Sequence, residues 1–211
     1  MKKQSSKIFF SLFFSFSLLS HSYGQSKIGV IGGISQTWNL ESSSSGLIPG
    51  FSLGIKARIP LAEHIHFQPE LLLVNQKSKT TSTFNSFGQS SVSSITSEVT
   101  MIQVPLWIQL GQHNHFGFGL SYGFPFSSGS SGTTTVTTQS PAKTTSETFS
   151  SKSKNFSQMS IAISYGNAIN EIGWEVRPSL IFVRESGIYG NIDDGFSPLF
   201  NLSLILSWNK Q

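Results

Sequence analysis

The chain has 211 residues, no cysteine and a charged fraction of 11%, less than half of the roughly 25% usual in soluble proteins. Its formal net charge is +4, but the lysines are scattered and form no basic patch with interleaved aromatics, so nucleic acid is not an expected partner. Without cysteine, disulfides and thiolate metal sites are excluded.

The N-terminus has the pattern of a secretory signal peptide. Three lysines within the first seven residues precede an apolar run at 8–19, and small residues lead up to Gly24. The run is shorter than the ~20 apolar residues that a membrane-spanning helix needs. We therefore expect a signal peptide at 1–24 and one exported domain at 25–211, with an uncleaved N-terminal anchor as the alternative. Cleavage would remove three of the 14 basic residues and leave 11 against 10 acidic ones.

The rest of the chain alternates between apolar-rich segments and polar connections, which predicts eight β-strands. The predicted strands are Lys27 to Trp38, Gly50 to Leu61, Ile65 to Gln76, Val99 to Leu110, His115 to Phe126, Phe156 to Gly166, Glu171 to Val183 and Pro198 to Trp208. Three tight turns alternate with four long connections, which is typical of an eight-stranded antiparallel up-and-down transmembrane β-barrel. The termini and the tight turns would then face the periplasm, and the long connections would face the outside.

The two longest connections are low in complexity. Thr80 to Ser97 and Ser127 to Ser153 consist largely of Ser, Thr and Gly, a composition that buries too little apolar surface to offset its ordering entropy. We expect both to be mobile. The shorter connection Gly187 to Ser197 contains Asp193 and Asp194, which suit a turn better than a calcium site, because calcium takes six to eight oxygens.

Apolar and polar residues alternate along the predicted strands. The fifth strand shows this most clearly, since Phe116, Phe118 and Leu120 alternate with Gly117 and Gly119. Alternation alone fits both a membrane barrel and a soluble sheet with its apolar face inside. The nearly all-Gly/Ser opposite face and the aromatics at strand ends favour the membrane barrel. Those aromatics are Trp38, Phe51, Phe67, Phe116, Phe126, Phe156, Phe182, Phe200 and Trp208.

Five charged residues lie on the face opposite the apolar one: Lys56, Arg58, Glu70, Glu175 and Arg177. In a barrel they would project into the lumen, and the interior of an eight-stranded barrel is about wide enough to be filled by side chains. We therefore expect a lumenal network of paired charges rather than the lining of a pore.

No constellation in the sequence predicts catalysis or a cofactor. His64 with His66, and His113 with His115, form two His-x-His pairs at predicted turns. We interpret them as polar turn residues, because a zinc site normally needs three or four protein ligands. No serine lies in a Gly-x-Ser-x-Gly elbow. We expect no catalytic, cofactor or metal site, and no enzyme.

Three segments resemble the PorT-like outer-membrane β-barrel proteins of the Bacteroidetes. They are PGFSLGIKARIPLAEHIHFQPELLLVNQK (Pro49 to Lys77), MIQVPLWIQL (Met101 to Leu110) and FGFGLSYGFPFS (Phe116 to Ser127). The chain departs from the family pattern at Gln103, where the family often has Glu, and in the polar residues after Trp208. The resemblance implies an eight-stranded barrel in the cell outer membrane. It also implies an aromatic-ended insertion signal formed by Leu204, Leu206 and Trp208.

Together these features predict an integral outer-membrane protein with a structural or surface-interaction role, not a large-pore channel. Its expected partners are outer-membrane lipid, the barrel-insertion machinery during assembly and an unidentified surface or envelope protein. Two alternatives remain open at this point: a secreted or periplasmic soluble β-barrel that binds an apolar ligand, and a membrane-embedded lipid enzyme.

Overall fold

The structure is a computed structural model that describes residues 26–40, 45–86, 89–139, 142–153, 156–169, 171–185 and 196–210. The expected signal peptide and the pair Asp193 and Asp194 lie outside these residues. No helix in the described part of the chain is long and apolar enough to cross a membrane.

The described residues form ten β-strands. Their bounds are β1 Lys27–Asn39, β2 Ser45–Gly46, β3 Pro49–Ala62, β4 Ile65–Ser86, β5 Gln89–Leu110, β6 Asn114–Gln139, β7 Ala142–Ser153, β8 Phe156–Ile169, β9 Ile172–Glu185 and β10 Phe196–Lys210.

Eight of these strands close into a ring. Going round it, β1, β3, β4, β5, β6, β8, β9 and β10 each pair with the next, and β10 pairs back with β1. Every pairing is antiparallel. The prediction of an eight-stranded up-and-down barrel is confirmed. Closure gives both edges of every wall strand a partner, which open sheets lack. The short β2 pairs with β4 and β7 pairs with β6, both outside the ring.

The apolar face of the wall lies on the outside of the barrel. On β6, Phe118 and Leu120 are 51% and 52% exposed, whereas Gly117, Gly119 and Ser121, which alternate with them, face inward. Small inward residues are required because larger ones from neighbouring strands fill the space. A Cβ added at Gly119 would lie 2.5 Å from the ring of Trp107 on β5.

The tight-turn end is held together by backbone hydrogen bonds between neighbouring turns. The N–H of Gly111 donates to the carbonyl of His64 at 2.8 Å, and the N–H of Ala168 donates to the carbonyl of His113 at 2.9 Å. Gly111 has a φ of 108°, a left-handed conformation that glycine adopts without steric cost.

In their described residues the two low-complexity connections form strands, so the prediction of loops is wrong there, while their mobility stays a prediction. β4 and β5 extend as a hairpin whose register runs to Ser86 opposite Gln89. β6 and β7 form a second hairpin that runs to Gln139 opposite Ala142. Antiparallel pairing satisfies the backbone groups in each hairpin, and β-branched threonine favours the extended backbone. The result is a four-stranded sheet, β4 to β7, that extends past the barrel wall.

Candidate functional site

Four of the five predicted lumenal charges lie together inside the barrel. Lys56 on β3, Glu70 on β4, and Glu175 and Arg177 on β9 are 6%, 4%, 2% and 5% exposed, respectively. Each sits at an inward position of its strand, and the two acids and two bases balance in formal charge. We call these four residues the lumenal charge cluster.

Arg177 is the centre of the cluster. Its Nη1 and Nη2 donate to Glu70 Oε2 and Oε1 at 2.8 and 2.7 Å, a bidentate contact across the lumen. Its Nε and Nη2 also donate to Glu175 Oε2 at 2.9 and 2.8 Å. One guanidinium therefore joins two buried carboxylates by four charge-assisted hydrogen bonds, the strong class of such contacts.

The remaining oxygen of Glu175 has two basic neighbours. Lys56 Nζ lies 3.8 Å from Oε1, and His115 Nε2 lies 3.5 Å from the same atom. The imidazole adds a charge only when it is protonated. His115 is 4% exposed and comes from β6, so the cluster is approached from four different strands.

Two further side chains complete the surroundings of the cluster. Gln68 donates from Nε2 to Glu70 Oε1 at 2.6 Å. The guanidinium carbon of Arg177 lies 4.5 Å from the ring centroid of Trp107, within the range of a cation–π contact. Trp107 occupies space left by Gly119, where a Cβ would overlap its ring.

Arg58 makes its hydrogen bonds elsewhere, so the structure does not place all five charges in one network. Its Nη2 donates to the carbonyls of Gly111 and Gln112 at 3.1 and 3.2 Å and lies 3.3 Å from His66 Nδ1. The physical reason is its position on β3, two residues nearer than Lys56 to the tight-turn end. There the carbonyls of the turn after β5 are within reach and the carboxylates are not.

A cavity of about 60 Å³ lies beside the cluster, with Arg177 and Trp107 in its wall. The rest of its wall is divided about evenly between residues with hydroxyl or amide side chains and apolar residues. The polar side chains of that wall are Ser35, Ser52, Gln76, Gln103, Ser121, Ser160, Ser179, Asn201 and Ser203. A space of this size and polarity suits a few water molecules.

The four turn histidines do not converge on one point. His64 Nε2 lies 3.6 Å from Glu63 Oε1, and His113 Nδ1 lies 3.4 Å from the carbonyl oxygen of Ala168. His66 contacts Arg58 and His115 faces Glu175. Among the described residues, no three His, Cys, Asp or Glu side chains are grouped so as to hold a metal ion.

Three residues of the site were not singled out from the sequence as members of a lumenal network. His115 was interpreted as a turn residue, although it shares its face with Gly117 and Gly119. Gln68 lies two residues before Glu70, so strand alternation could have placed it in the lumen. The sequence around Trp107 did not indicate that its side chain points into the lumen. The glycine opposite it, at position 119, is the residue that makes room for it.

The three residues of the expected insertion signal lie on the outward face of β10. Leu204, Leu206 and Trp208 are 44%, 59% and 54% exposed. Nε1 of Trp208 donates to Glu171 Oε2 at 2.8 Å, at the tight-turn end of the barrel. β10 pairs with β9 on one side and with β1 on the other, so it is the strand that closes the ring.

Comparisons with known proteins return weak structural similarities. No family model and no curated protein matches the chain. Among solved structures, it is similar to Ail, the attachment invasion locus protein of Yersinia pestis, at 12% identity and a TM-score of 0.33, covering 89% of this chain and 99% of that one. It is also similar to Neisserial surface protein A (NspA), at 8% identity and a TM-score of 0.35, covering 87% and 96%. The third is the outer membrane protease OmpT from Escherichia coli, at 10% identity and a TM-score of 0.37, covering 88% and 96%. The barrel assignment itself comes from the closed strand pairing.

Proposed function

We propose that the protein is an integral outer-membrane β-barrel with a sealed lumen and a structural or surface-interaction role. The single observation that carries this proposal is the inverted arrangement of the wall, apolar outside and charged inside. A soluble barrel would place the lumenal charge cluster in water and the apolar face in its core.

The outward apolar surface is too large and continuous for a protein in water. Every wall strand contributes exposed large hydrophobic residues to it. They include Val30, Ile34, Leu53, Ile55, Leu71, Leu73, Leu106, Ile108, Phe118, Leu120, Ile161, Ile163, Trp174, Leu180, Leu204 and Leu206. Exposed apolar patches beyond a few hundred Å² mark an interaction surface, and a band round a whole barrel fits lipid.

The height of the band also fits a membrane. The outward run on β6 from Phe116 to Phe126 covers ten residue steps. With a rise of about 3.3 Å per residue and a tilt of about 40°, this corresponds to about 25 Å along the barrel axis, the height of the apolar band in outer-membrane barrels. Aromatic pairs lie near both ends: Trp38 with Phe200 at 5.6 Å, and Tyr165 with Trp174 at 6.0 Å. Such girdles are typical of both membrane interfaces.

The lumenal charge cluster argues against a large pore. Arg177 reaches from β9 to Glu70 on β4, so the contact crosses the lumen instead of lining it. The neighbouring cavity of about 60 Å³ has room for a few water molecules but is too small for a solute path. We therefore assign the lumen a stabilising role and no catalytic one.

We assign the surface-interaction role to the sheet formed by the extensions of β4 to β7. It projects from the end of the barrel opposite the tight turns, which is the outside if those turns face the periplasm. Short apolar motifs such as Met101 to Leu110 support grouping the chain with the PorT-like barrels. The partners in this proposal are outer-membrane lipid, the insertion machinery acting on β10, and a surface or envelope protein.

Fractionation tests the membrane proposal. The full chain is expected in the outer-membrane fraction, released only by detergent, with a gel mobility that changes on heating because the closed barrel resists unfolding. A soluble barrel that binds an apolar ligand would appear in a detergent-free extract, and this result would overturn the proposal. Planar bilayers test the seal: steady conductance of the size of an open eight-stranded barrel would contradict the sealed lumen.

A further inference from the structure

The cavity beside the lumenal charge cluster has positive charge and no negative charge in its described wall. On β9 the wall continues from Arg177 to Ser179 and Ile181, so the cavity lies on the side of the cluster away from the tight turns. Arg177 is the single charged side chain among the described residues of the wall. The carboxylates that it binds, Glu70 and Glu175, do not line the cavity. This asymmetry favours an anion over a cation as a ligand.

One pair of serine hydroxyls in the wall has a hydrogen available for a ligand. Ser121 Oγ accepts from Gln103 Nε2 at 2.6 Å and lies 2.6 Å from Ser160 Oγ. Whichever serine donates, their contact uses one of the two hydroxyl hydrogens, and the amide of Gln103 supplies its own. The other hydroxyl hydrogen can therefore be donated into the cavity, which both serines line.

A second donor comes from the opposite side of the wall. Asn201 Nδ2 donates to Ser203 Oγ at 2.9 Å and to Ser179 Oγ at 3.3 Å. Ser179 gives its own hydrogen to the backbone carbonyl of Asn201 at 3.4 Å. Because an amide nitrogen only donates, Ser203 is the acceptor in its contact and keeps its hydrogen. Ser203 also lines the cavity.

Two buried side chains of the wall carry polar atoms that have no hydrogen-bond partner among the described residues. They are Trp107 Nε1 and Ser35 Oγ, in residues that are 4% and 7% exposed. An indole N–H can only donate, and a buried donor without an acceptor is destabilising. Arg177 has five N–H donors, of which its bonds to Glu70 and Glu175 use four, so one on Nη1 remains. These groups would all be satisfied by a ligand that only accepts.

The charges of the described lumen also leave room for one negative charge. Lys56, Arg58 and Arg177 are cationic, whereas Glu70 and Glu175 are the carboxylates, which gives a formal charge of +1. Arg58 donates to backbone carbonyls instead of a carboxylate. Buried charges are normally balanced by opposite ones, and one monovalent anion would balance this excess.

We propose that this cavity is a binding site for a small monovalent anion of the size of chloride. Arg177, Trp107 and Ser203 supply the donors, together with the hydroxyl pair of Ser121 and Ser160. The volume of about 60 Å³ suits one such ion with a water molecule or two. A divalent anion would exceed the charge it has to balance. The site needs the closed wall of the barrel but not its location in a membrane, so it extends beyond the proposed function.

Crystals soaked in sodium bromide test the position of the site. Bromide replaces chloride and is located by its anomalous scattering. We expect a peak inside the cavity, within hydrogen-bonding distance of Arg177 and Ser203. Bromide found only on the outer surface, or no peak at all, would overturn the proposal.

Unfolding at constant ionic strength tests whether the ion is bound in solution. The full chain in non-ionic detergent is unfolded with urea while sodium chloride replaces sodium gluconate, whose anion is too large for a cavity of about 60 Å³. A ligand that binds the folded state alone raises the unfolding midpoint as its concentration increases. We expect the midpoint of the wild type to rise with chloride in this way. A midpoint that does not respond to chloride would contradict binding.

Two variants remove single donors from the site. Ser203→Ala and Trp107→Phe should each shift the chloride dependence to about tenfold higher concentration, which is the effect of losing one hydrogen bond to a charged group. The matched control is Ser164→Ala. Ser164 is 1% exposed and lies on the same lumenal face of β8 as Ser160, but it does not line the cavity.

The control variant separates a site from a general effect on the lumen. Ser164→Ala should respond to chloride like the wild type, whatever its own stability. An equal shift in Ser164→Ala, or no shift in either donor variant, would overturn the proposal. Fractionation remains an independent test, because a folded barrel that binds chloride but stays outside the membrane contradicts the proposed function alone.

Discussion

Replacing Arg177 with methionine should destabilise the barrel by several kcal/mol. The substitution keeps much of the volume but removes four hydrogen bonds of 2.7 to 2.9 Å to Glu70 and Glu175 and a cation–π contact with Trp107. Two carboxylates would remain buried, with Lys56 Nζ 3.8 Å from Glu175 Oε1 as a remaining cationic contact. Breaking a buried ion pair by removing one partner costs about 3–5 kcal/mol, and we expect Arg177→Met to fall in that range.

The matched control is Lys77→Met on the same barrel. Lys77 Nζ lies 3.5 Å from Glu98 Oε1, but the two side chains are 34% and 50% exposed, and an exposed pair of this kind contributes at most about 1 kcal/mol. Adding Glu70→Gln to Arg177→Met should recover about 1–3 kcal/mol, because Glu175 and Lys56 then balance each other and less uncompensated charge stays buried.

Equilibrium urea unfolding in detergent micelles, followed by tryptophan fluorescence, gives these free energies. Trp107 reports on the site directly, because it contacts Arg177. Arg177→Met costing no more than Lys77→Met would refute the reasoning. So would a further loss of stability in the double variant Arg177→Met/Glu70→Gln.

Three further predictions concern the wall and the outer sheet. Gly119→Ala should cost about 1–3 kcal/mol in the same unfolding assay, because its Cβ would lie 2.5 Å from Trp107. Gly32→Ala, whose Cβ would meet Leu53 at 3.7 Å, should be close to neutral, and equal costs would count against a tightly filled lumen. Leu120→Arg, in the middle of the outward face, should cost about 2–4 kcal/mol in lipid vesicles and Leu61→Arg, near the tight turns, about 0–1 kcal/mol; no dependence on position would contradict the membrane band. Deleting 79–96 should leave heat-dependent gel mobility intact, because the β4–β5 ladder continues below it at Lys77 opposite Glu98. Loss of the folded band would show that the barrel depends on the hairpin.

The sequence pattern predicted the barrel well where one face of a strand is apolar and the other is not. On β6 the alternation of Phe116, Phe118 and Leu120 with glycines predicted both the strand and its outward face. On β5 the run Met101 to Leu110 is apolar at most positions, so alternation could not show that Trp107 points inward. Only the packing against Gly119 settles that position.

Hairpin length was the main feature that local composition predicted wrongly. Ser- and Thr-rich segments bury little apolar surface, which favoured loops for Thr80 to Ser97 and Ser127 to Ser153. In the folded chain, these segments continue strands that the wall has already aligned. Extending an existing antiparallel ladder requires no new nucleation, and each added residue forms backbone hydrogen bonds. This stabilisation depends on the neighbouring strand, so it cannot be read from the composition of one segment.

The sequence by itself determined the period of two, the number of wall strands and the set of charged residues on the inward face. The tertiary structure decided which of those charges meet. Lys56 and Arg58 are both basic residues on the same face of β3. Lys56 nevertheless contacts Glu175, whereas Arg58 donates to the carbonyls of a turn. The contact between Arg177 and Glu70 joins residues 107 positions apart. Strand register and closure of the ring decide which residues meet across the lumen, and both depend on all eight strands at once.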